Sequence, residues 1–445
     1  MMEPIVAITL VIFLVTIGLI IWGKWDRTVV GIIGVVLMVM VGTMAETEAF
    51  GFVDWNIIAI LFSIWIIAAY FSDTGVPQFL AITILRRSGK NVGIFLFWLG
   101  ILAGFISMLI DNVVIILMMA PVIFHVTKKL KLNSFPFLIT VGLAANFMGT
   151  ALLLGDLPPQ MFHSVTGIEF NEFIWQMGRP SSFPLLTATF LATMFFMYRY
   201  KLRKLFPPMD AAVIDEICQE EPCEYLKKKS FVIISLGLFL ATILAMSFRE
   251  VIGYNLGFIA LTGMSLLVII NEIFARHLGG PSFDDILREI DWKALFFYIV
   301  LFVLVGAIHH VGIIKMIADA LAPYFQQNLI LGSSLLYWVT APIVGIVEHD
   351  AYILVFLYLI RDLAPSLGIS PWPLGWALLW AGTLGSNLTI AGAPALFVAQ
   401  GLAEREGGSK VRLREFFSYS VPFVVFSLVV QYILTLIFWI IPFAF

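Results

Sequence analysis

Two charged islands interrupt long apolar stretches of this chain: Asp111-Asn112 and Glu348-His349-Asp350. A carboxylate between Phe105–Ile110 and Val113–Met119 resists ionisation unless a cation, a proton or a set of donors compensates it. A carrier coupled to protons or cations needs such a group, so Asp111 is read as one. Asp111 also suits the cap of a following helix; the two roles are compatible, because a helix terminus is itself an ion-binding element. Glu348 and Asp350 flank His349. Like charges that close in a poor dielectric share a proton or hold a cation, and His349 donates to either acid or titrates itself. The alternative is a salt-bridged knot that stiffens a turn.

A second set lies one apolar run further along in each half. Asn146, Gly149 and Thr150 lead into Gly155-Asp156 and Pro158-Pro159; Thr383, Gly385, Ser386, Asn387 and Thr389 lead into Gly392 and Pro394. Small and polar residues inside an apolar span point to a helix unwound at its middle. Its free carbonyls, with Asn and Thr side chains, coordinate an ion or bond a small solute. The same small residues also serve close helix packing.

These residues recur at one spacing. Asp54-Trp55 returns as Asp291-Trp292, Gly75 as Gly312, Asp111 as Glu348 and Gly155 as Gly392, each 237 positions on. A constant offset reads as a duplicated unit that carries an acid to mid-membrane depth twice. Ionisable residues there are costly and mark a site that binds or moves something.

The elements that must position them are membrane spans. The chain is 61% hydrophobic and 12% charged, with mean hydropathy +1.00; soluble domains carry about 25% charge. The net charge of −3 gives nucleic acid no purchase. No phosphate-binding loop, zinc-protease or nucleophile-elbow motif appears, so ATP drive and common hydrolytic chemistry lack support. Cys218 and Cys223 read as free thiols of a polar segment. The N-terminus lacks a basic region and a cleavage site, so 4–22 reads as a retained span.

Apolar runs long enough to cross lie at about 4–22, 28–45, 55–71, 135–155 and 181–199, then at 231–248, 252–271, 292–308, 372–399 and 417–441. Runs 92–127 and 331–362 are split at their midpoints by the charged islands and read as re-entrant hairpins with buried tips. The fold expected is therefore all-α and integral to the membrane. It has two inverted repeats, 1–199 and 231–445, each of about five spans, one hairpin and a broken helix (135–155 and 372–399). A cytoplasmic linker, 200–230, joins them. It carries Pro207-Pro208, an acidic run from Asp215 to Glu224, and Lys227 to Lys229. With both termini outside, Lys24, Arg27, Arg86, Arg87, Lys90 and Lys128 fall inside, while Glu46, Asp54, Asp156 and Glu169 fall in the opposite loops. Segments 76–87 and 313–325 read as interfacial arms. Asp54 and Asp291 read as span caps, and His309-His310 as an arm contact.

On these motifs the chain resembles the ion transporter superfamily, in particular arsenite efflux permeases, P-protein permeases and D-type sodium/proton antiporters, with divalent-anion/sodium symporters more distant. The family's first tip looks like Asp111-Asn112 through Ala120-Pro121. Its Asn-rich and Gly-Asp-Pro-Pro run looks like Asn146 to Pro158, and its late motif like Gly385 to Ala393 with Ala403 to Gly407. The resemblance implies a scaffold and a moving transport part working as an elevator in the cell (inner) membrane, usually as a homodimer. The second tip departs, with Glu348-His349-Asp350-Ala351 in place of Asp-Asn-Ile-Pro; Leu152 replaces a Thr, Leu157 interrupts the Gly-Asp-Pro-Pro run, and Leu396 replaces an Asn. Fewer oxygen ligands and more titratable groups favour proton over sodium coupling.

The expectation is a secondary active transporter driven by protons or sodium, with cation/proton antiport first and efflux of arsenite or another small oxo-species or anion second. Binding is expected at Asp111, Asn112, Asn146, Gly149, Thr150, Glu348, His349, Asp350, Thr383, Ser386, Asn387 and Thr389, with no cofactor beyond a sodium ion at Asp111, Asn112, Asn146 and Asn387. The readings of another class are an intramembrane enzyme using Asp111 and Glu348 as paired acids, which transport without chemical change of the solute would separate, and a channel, which far higher turnover would reveal.

Overall fold

The computed structural model describes residues 4–88, 91–205, 222–347, 349–407 and 410–444. Glu348, Lys90, Pro207-Pro208, Cys218 and the stretch 215–221 of the acidic run lie outside the described residues.

The chain is almost entirely helical. The first half runs α1 (Pro4–Trp22), α2 (Arg27–Met40), α3 (Glu46–Gly51), α4 (Trp55–Asp73), α5 (Val76–Arg87), α6 (Val92–Ser107), α7 (Asn112–Lys129), α8 (Phe135–Met148), α9 (Leu157–Thr166) and α10 (Ser182–Met197). A two-residue-per-strand hairpin, Trp175–Gln176 against Arg179–Pro180, precedes α10. The second half runs α11 (Lys229–Ser247), α12 (Leu256–Ile273), α13 (Phe283–Glu289), α14 (Trp292–His310), α15 (Ile313–Gln327), α16 (Leu329–Val344), α17 (His349–Leu367), α18 (Trp372–Ser386), α19 (Pro394–Gly407) and α20 (Leu413–Thr435).

Sequence chemistry sets the boundaries. Asp54 Oδ1 accepts from the backbone N–H groups of Asn56 and Ile57 and starts α4; Asp291 accepts from Ala294 and starts α14. Gly75 and Gly312, both at φ +78°, turn the chain from those spans into the arms α5 and α15. Every helix from α3 to α9 begins 237 residues before its counterpart from α13 to α19: 46 and 283, 55 and 292, 76 and 313, 92 and 329, 112 and 349, 135 and 372, 157 and 394. The duplication read from landmark residues extends to the elements.

Among the described residues, seven helices are long and apolar enough to cross a membrane. At 1.5 Å per residue the 16-residue α6 and α16 reach only about 24 Å, short of a bilayer core of about 30 Å. Each is followed by a break and a second helix, as the split runs suggested. Where a span was expected at 135–155, α8 ends at Met148, the chain unwinds over 149–156, and α9 continues to Thr166. Where 372–399 was expected, α18 ends at Ser386, residues 387–393 are non-helical, and α19 runs to Gly407. The second limbs are longer than expected because Pro158-Pro159 and Pro394 fall at helix starts, where proline costs nothing.

Two sets of helices pack internally. α4 lies on α11 and α12, and α14 on α1 and α2. α6 and α7 lie on α8, and α16 and α17 on α18. The two halves of the sequence exchange partners at the centre: α9 packs on α17, and α19 on α7 and α8. All of α8 is buried, as is α18 from Pro373 onward. α1 exposes Val11, Leu14 and Val15, and α11 exposes Ile233, Leu240 and Leu244, as lipid-facing surfaces require.

Candidate functional site

Both breaks are seated by backbone-to-backbone contact. A Cβ on Gly155 would lie 2.2 Å from the Ser107 carbonyl oxygen and 2.6 Å from that of Gly149. One on Gly392 would lie 2.2 Å from the Ser386 oxygen and 2.8 Å from that of Val344. Ser107 and Val344 end α6 and α16, so each break rests on the end of its own first hairpin helix. Only glycine permits that approach.

Within this frame side chains from both halves meet. Asn112, the first residue of α7, donates its Nδ2 to Asn146 Oδ1 and to Asp156 Oδ2, each at 3.0 Å. Asn146 Nδ2 crosses to the second half and donates to Ser386 Oγ at 2.9 Å and to the Thr383 carbonyl at 3.5 Å. Thr150 and Thr383 share a 2.6 Å hydroxyl contact, and Ser386 Oγ also bonds the Thr383 carbonyl at 2.8 Å. His349, first residue of α17 and counterpart of Asn112, places Nε2 3.8 Å from Asp156 Oδ2 and 3.4 Å from Asp350 Oδ1. Its Nδ1 lies 3.0 Å from the Gly392 carbonyl. Asn112, Asn146, Asp156, His349 and Asp350 are all at most 5% exposed.

Of the residues expected from sequence, Asn112, Asn146, Thr150, His349, Thr383 and Ser386 converge, and Asp350 joins through His349. Gly149 lies against Asp156, a Cβ there standing 3.1 Å from the Asp156 Cβ. Asp111 is buried and caps α7, accepting from Val113 at 2.9 Å and Val114 at 3.4 Å. Thr389 donates to the Gly345 carbonyl and accepts from Ala391, which shapes the second break. Asn387 is fully buried, and among the described residues neither end of its amide has a hydrogen-bond partner. Glu348 lies outside the described residues.

Asp156 corrects the reading of it as a loop acid. It caps α9, accepting from Leu157 at 2.9 Å, and stands between Asn112 and His349. An acid ahead of Leu157-Pro158-Pro159 is an N-cap signature, and that signal was available in the sequence. In this arrangement the Asn112 amide nitrogen, a donor, bridges the Asn146 and Asp156 oxygens.

The starts of α7 and α9 thus already hold the chain's own carboxylates. At the start of α19 the equivalent of Asp156 is Ala393. No Lys or Arg appears among the buried side chains of the described residues.

Comparison with known proteins places this architecture. The citrate transporter family model matches residues 17–381. An uncharacterized transporter of Mycobacterium tuberculosis is 26% identical over 414 residues, covering 91% of each chain. The human P protein is 25% identical over 458 residues, covering 86% of this chain and 53% of that protein. In fold, the YdaH transporter of Alcanivorax borkumensis aligns with a TM-score of 0.56 at 14% identity, over 90% of this chain and 87% of that one. The chain belongs to the citrate transporter family, within the ion transporter superfamily, and is a multi-pass membrane transporter, not an enzyme.

Proposed function

We propose that the chain is a secondary active transporter that exchanges a small cation for protons at the junction of the two tips and two breaks. The observation that carries this reading is the charge of the buried centre. Asp111, Asp156 and Asp350 are its carboxylates and His349 its imidazole among the described residues, and no buried Lys or Arg accompanies them. Two helix starts that could attract an anion are occupied by Asp111 and Asp156. A multiply charged anion would meet like charges there, in a medium that screens them poorly. Asp156 is the group proposed to trade a proton for the cargo ion, with Asn112 from one tip and His349 from the other sensing which it holds.

The membrane arrangement belongs to the same proposal: inverted repeats 1–199 and 231–445, a cytoplasmic linker over 200–230, both termini outside, and an elevator-like motion of the hairpins and broken helices, in a homodimer. Long-range ion pairs support the grouping of the loops on two faces. Lys293 with Asp26, and Lys128 with Glu406, each join segments assigned to the inside; Arg249 with Glu169 joins segments assigned to the outside.

Efflux or uptake of a small oxo-species or anion is the second reading. It draws on the unpartnered Asn387 amide, on Ala393 at the start of α19, and on the family's description as citrate transporters. Proteoliposomes with an imposed pH gradient test the two. Sodium or lithium flux that vanishes in Asp156→Asn supports exchange; arsenite or citrate flux without cation flux overturns it in favour of the second reading.

A further inference from the structure

At one end of the molecule, polar side chains tie the outer helices to the central ones. His309, in the last turn of α14, places Nε2 3.1 Å from Asp362 Oδ2 and 2.8 Å from Arg361 Nη2, both on α17. Its ring stacks on Tyr358 of α17 with centroids 5.0 Å apart, and the Arg361 guanidinium lies over the same tyrosine at 4.7 Å. Arg361 Nε also donates to Asp362 Oδ1 at 3.1 Å, which fixes the carboxylate. Close by, Asp54 caps α4 with one oxygen and accepts from Ser164 of α9 with the other. The Asp54–Ser164 contact is a second tie of an outer helix to a central one.

Each tie joins α4 or α14 to α9 or α17. The duplication shows how specific this is. Counting back 237 positions, His309, Arg361 and Tyr358 correspond to Ser72, Phe124 and Pro121; counting forward, Ser164 corresponds to Gly401. Asp54 and Asp362 correspond to Asp291 and His125, so the His309, Arg361, Tyr358, Asp362 and Ser164 set is not repeated at the equivalent positions.

We infer that His309, Asp362, Arg361, Asp54 and Ser164 form a latch that keeps the His309 end of the transporter closed and releases when the central helices move. This rests on the proposed motion of α9 and α17 against α4 and α14. Nε2 faces a donor, Arg361 Nη2, and an acceptor, Asp362 Oδ2, so one ring nitrogen joins α14 to either of two neighbouring residues of α17.

Site accessibility tests the latch without knowledge of the cargo. In a Cys218→Ser, Cys223→Ser background, a reporter thiol at Ala151→Cys lies in the buried first break. A membrane-impermeant maleimide is applied to proteoliposomes from each face in turn. Asp362→Ala with Ser164→Ala removes the Asp362 pairs with His309 and Arg361 and the Ser164–Asp54 hydrogen bond, and labelling from the His309 face is expected to rise about 5- to 30-fold. Asp362→Asn keeps the side-chain shape and should give a smaller rise, which guards against misfolding as the cause. An unchanged or slower rate in both variants overturns the latch. Conversely, His309→Cys with Asp362→Cys, bridged by a short bis-maleimide, should stay slow to label from that face and stop any cargo flux. Continued opening after bridging also overturns it. Labelling reports on the latch even when none of the tested ions is carried, so its failure is separable from failure of the transport reading.

Discussion

Asn112 is the residue on which the centre turns, because its one amide nitrogen serves two acceptors, Asn146 Oδ1 and Asp156 Oδ2. Asn112→Ala leaves both oxygens buried without that donor. The expected loss is about 1–3 kcal/mol of stability, read as a lower melting temperature in detergent. Asn387→Ala removes an amide with no partner and should cost much less stability while altering transport. A melting loss at Asn387 as large as at Asn112 would show that the amide is structural. Both residues stood out in the sequence because an amide inside an apolar span has few bland explanations. Asp156 did not, because its flanking glycine and prolines read as a loop. What hid it was a distance in space: 45 positions separate it from Asp111, and only the packing of α9 on α17 brings it under His349.

At the scale of elements, the breaks depend on glycine for room and not for unusual torsion angles. Gly155→Ala and Gly392→Ala each drive a methyl group into carbonyl oxygens at 2.2 Å, which backbone cannot cheaply yield. A loss of about 1–3 kcal/mol and a drop in folded yield are expected for each. Gly18→Ala, with open space around it, should be neutral or mildly stabilising by thermal melt. The ends of the spans are held by ordinary caps, and one of them carries a pH signature. Asp26 caps α2, and its hydrogen bond to Lys293 of α14 holds its carboxyl below the usual aspartate value of 3.8. A depressed pKa contributes stability above 3.8 that is lost as the pH falls through the lower folded value. Asp26→Asn keeps the cap and removes the ion pair. It should lower stability by about 0.2–1 kcal/mol at neutral pH, and the gap from the parent should close in strong acid. Melts across pH that show a constant gap would disprove the electrostatic assignment.

Among the described residues, hydrophobic run length found six of the seven helices long and apolar enough to cross a membrane; the seventh, Asn112–Lys129, it read as a hairpin limb. The limbs α9 and α19 were harder to see. They are short, they begin with prolines, and α19 ends in the charged Glu404-Arg405-Glu406.

For the whole molecule, the two halves share one frame and differ at the residues that meet in its centre. The helices α3 to α9 and α13 to α19 start in register, yet Asn112 faces His349, Asp156 has Ala393 as its counterpart, and Thr150 has Asn387. The two halves thus bring together one acidic centre, around Asp156, and a buried amide, Asn387, with no hydrogen-bond partner among the described residues. The repeat was legible as a spacing of 237 residues between landmarks. The meeting of the two halves was not, because Asn146 reaches Ser386 through an exchange of partners that no local pattern encodes.

Cation flux into proteoliposomes under an imposed pH gradient, compared between the parent and Asp156→Asn, tests the buried acidic centre most directly. The parent should move sodium or lithium against protons, and the variant should fold, melt near the parent and move neither. Equal flux in both proteins, or citrate uptake that ignores the substitution, would contradict a transport centre built on that carboxylate.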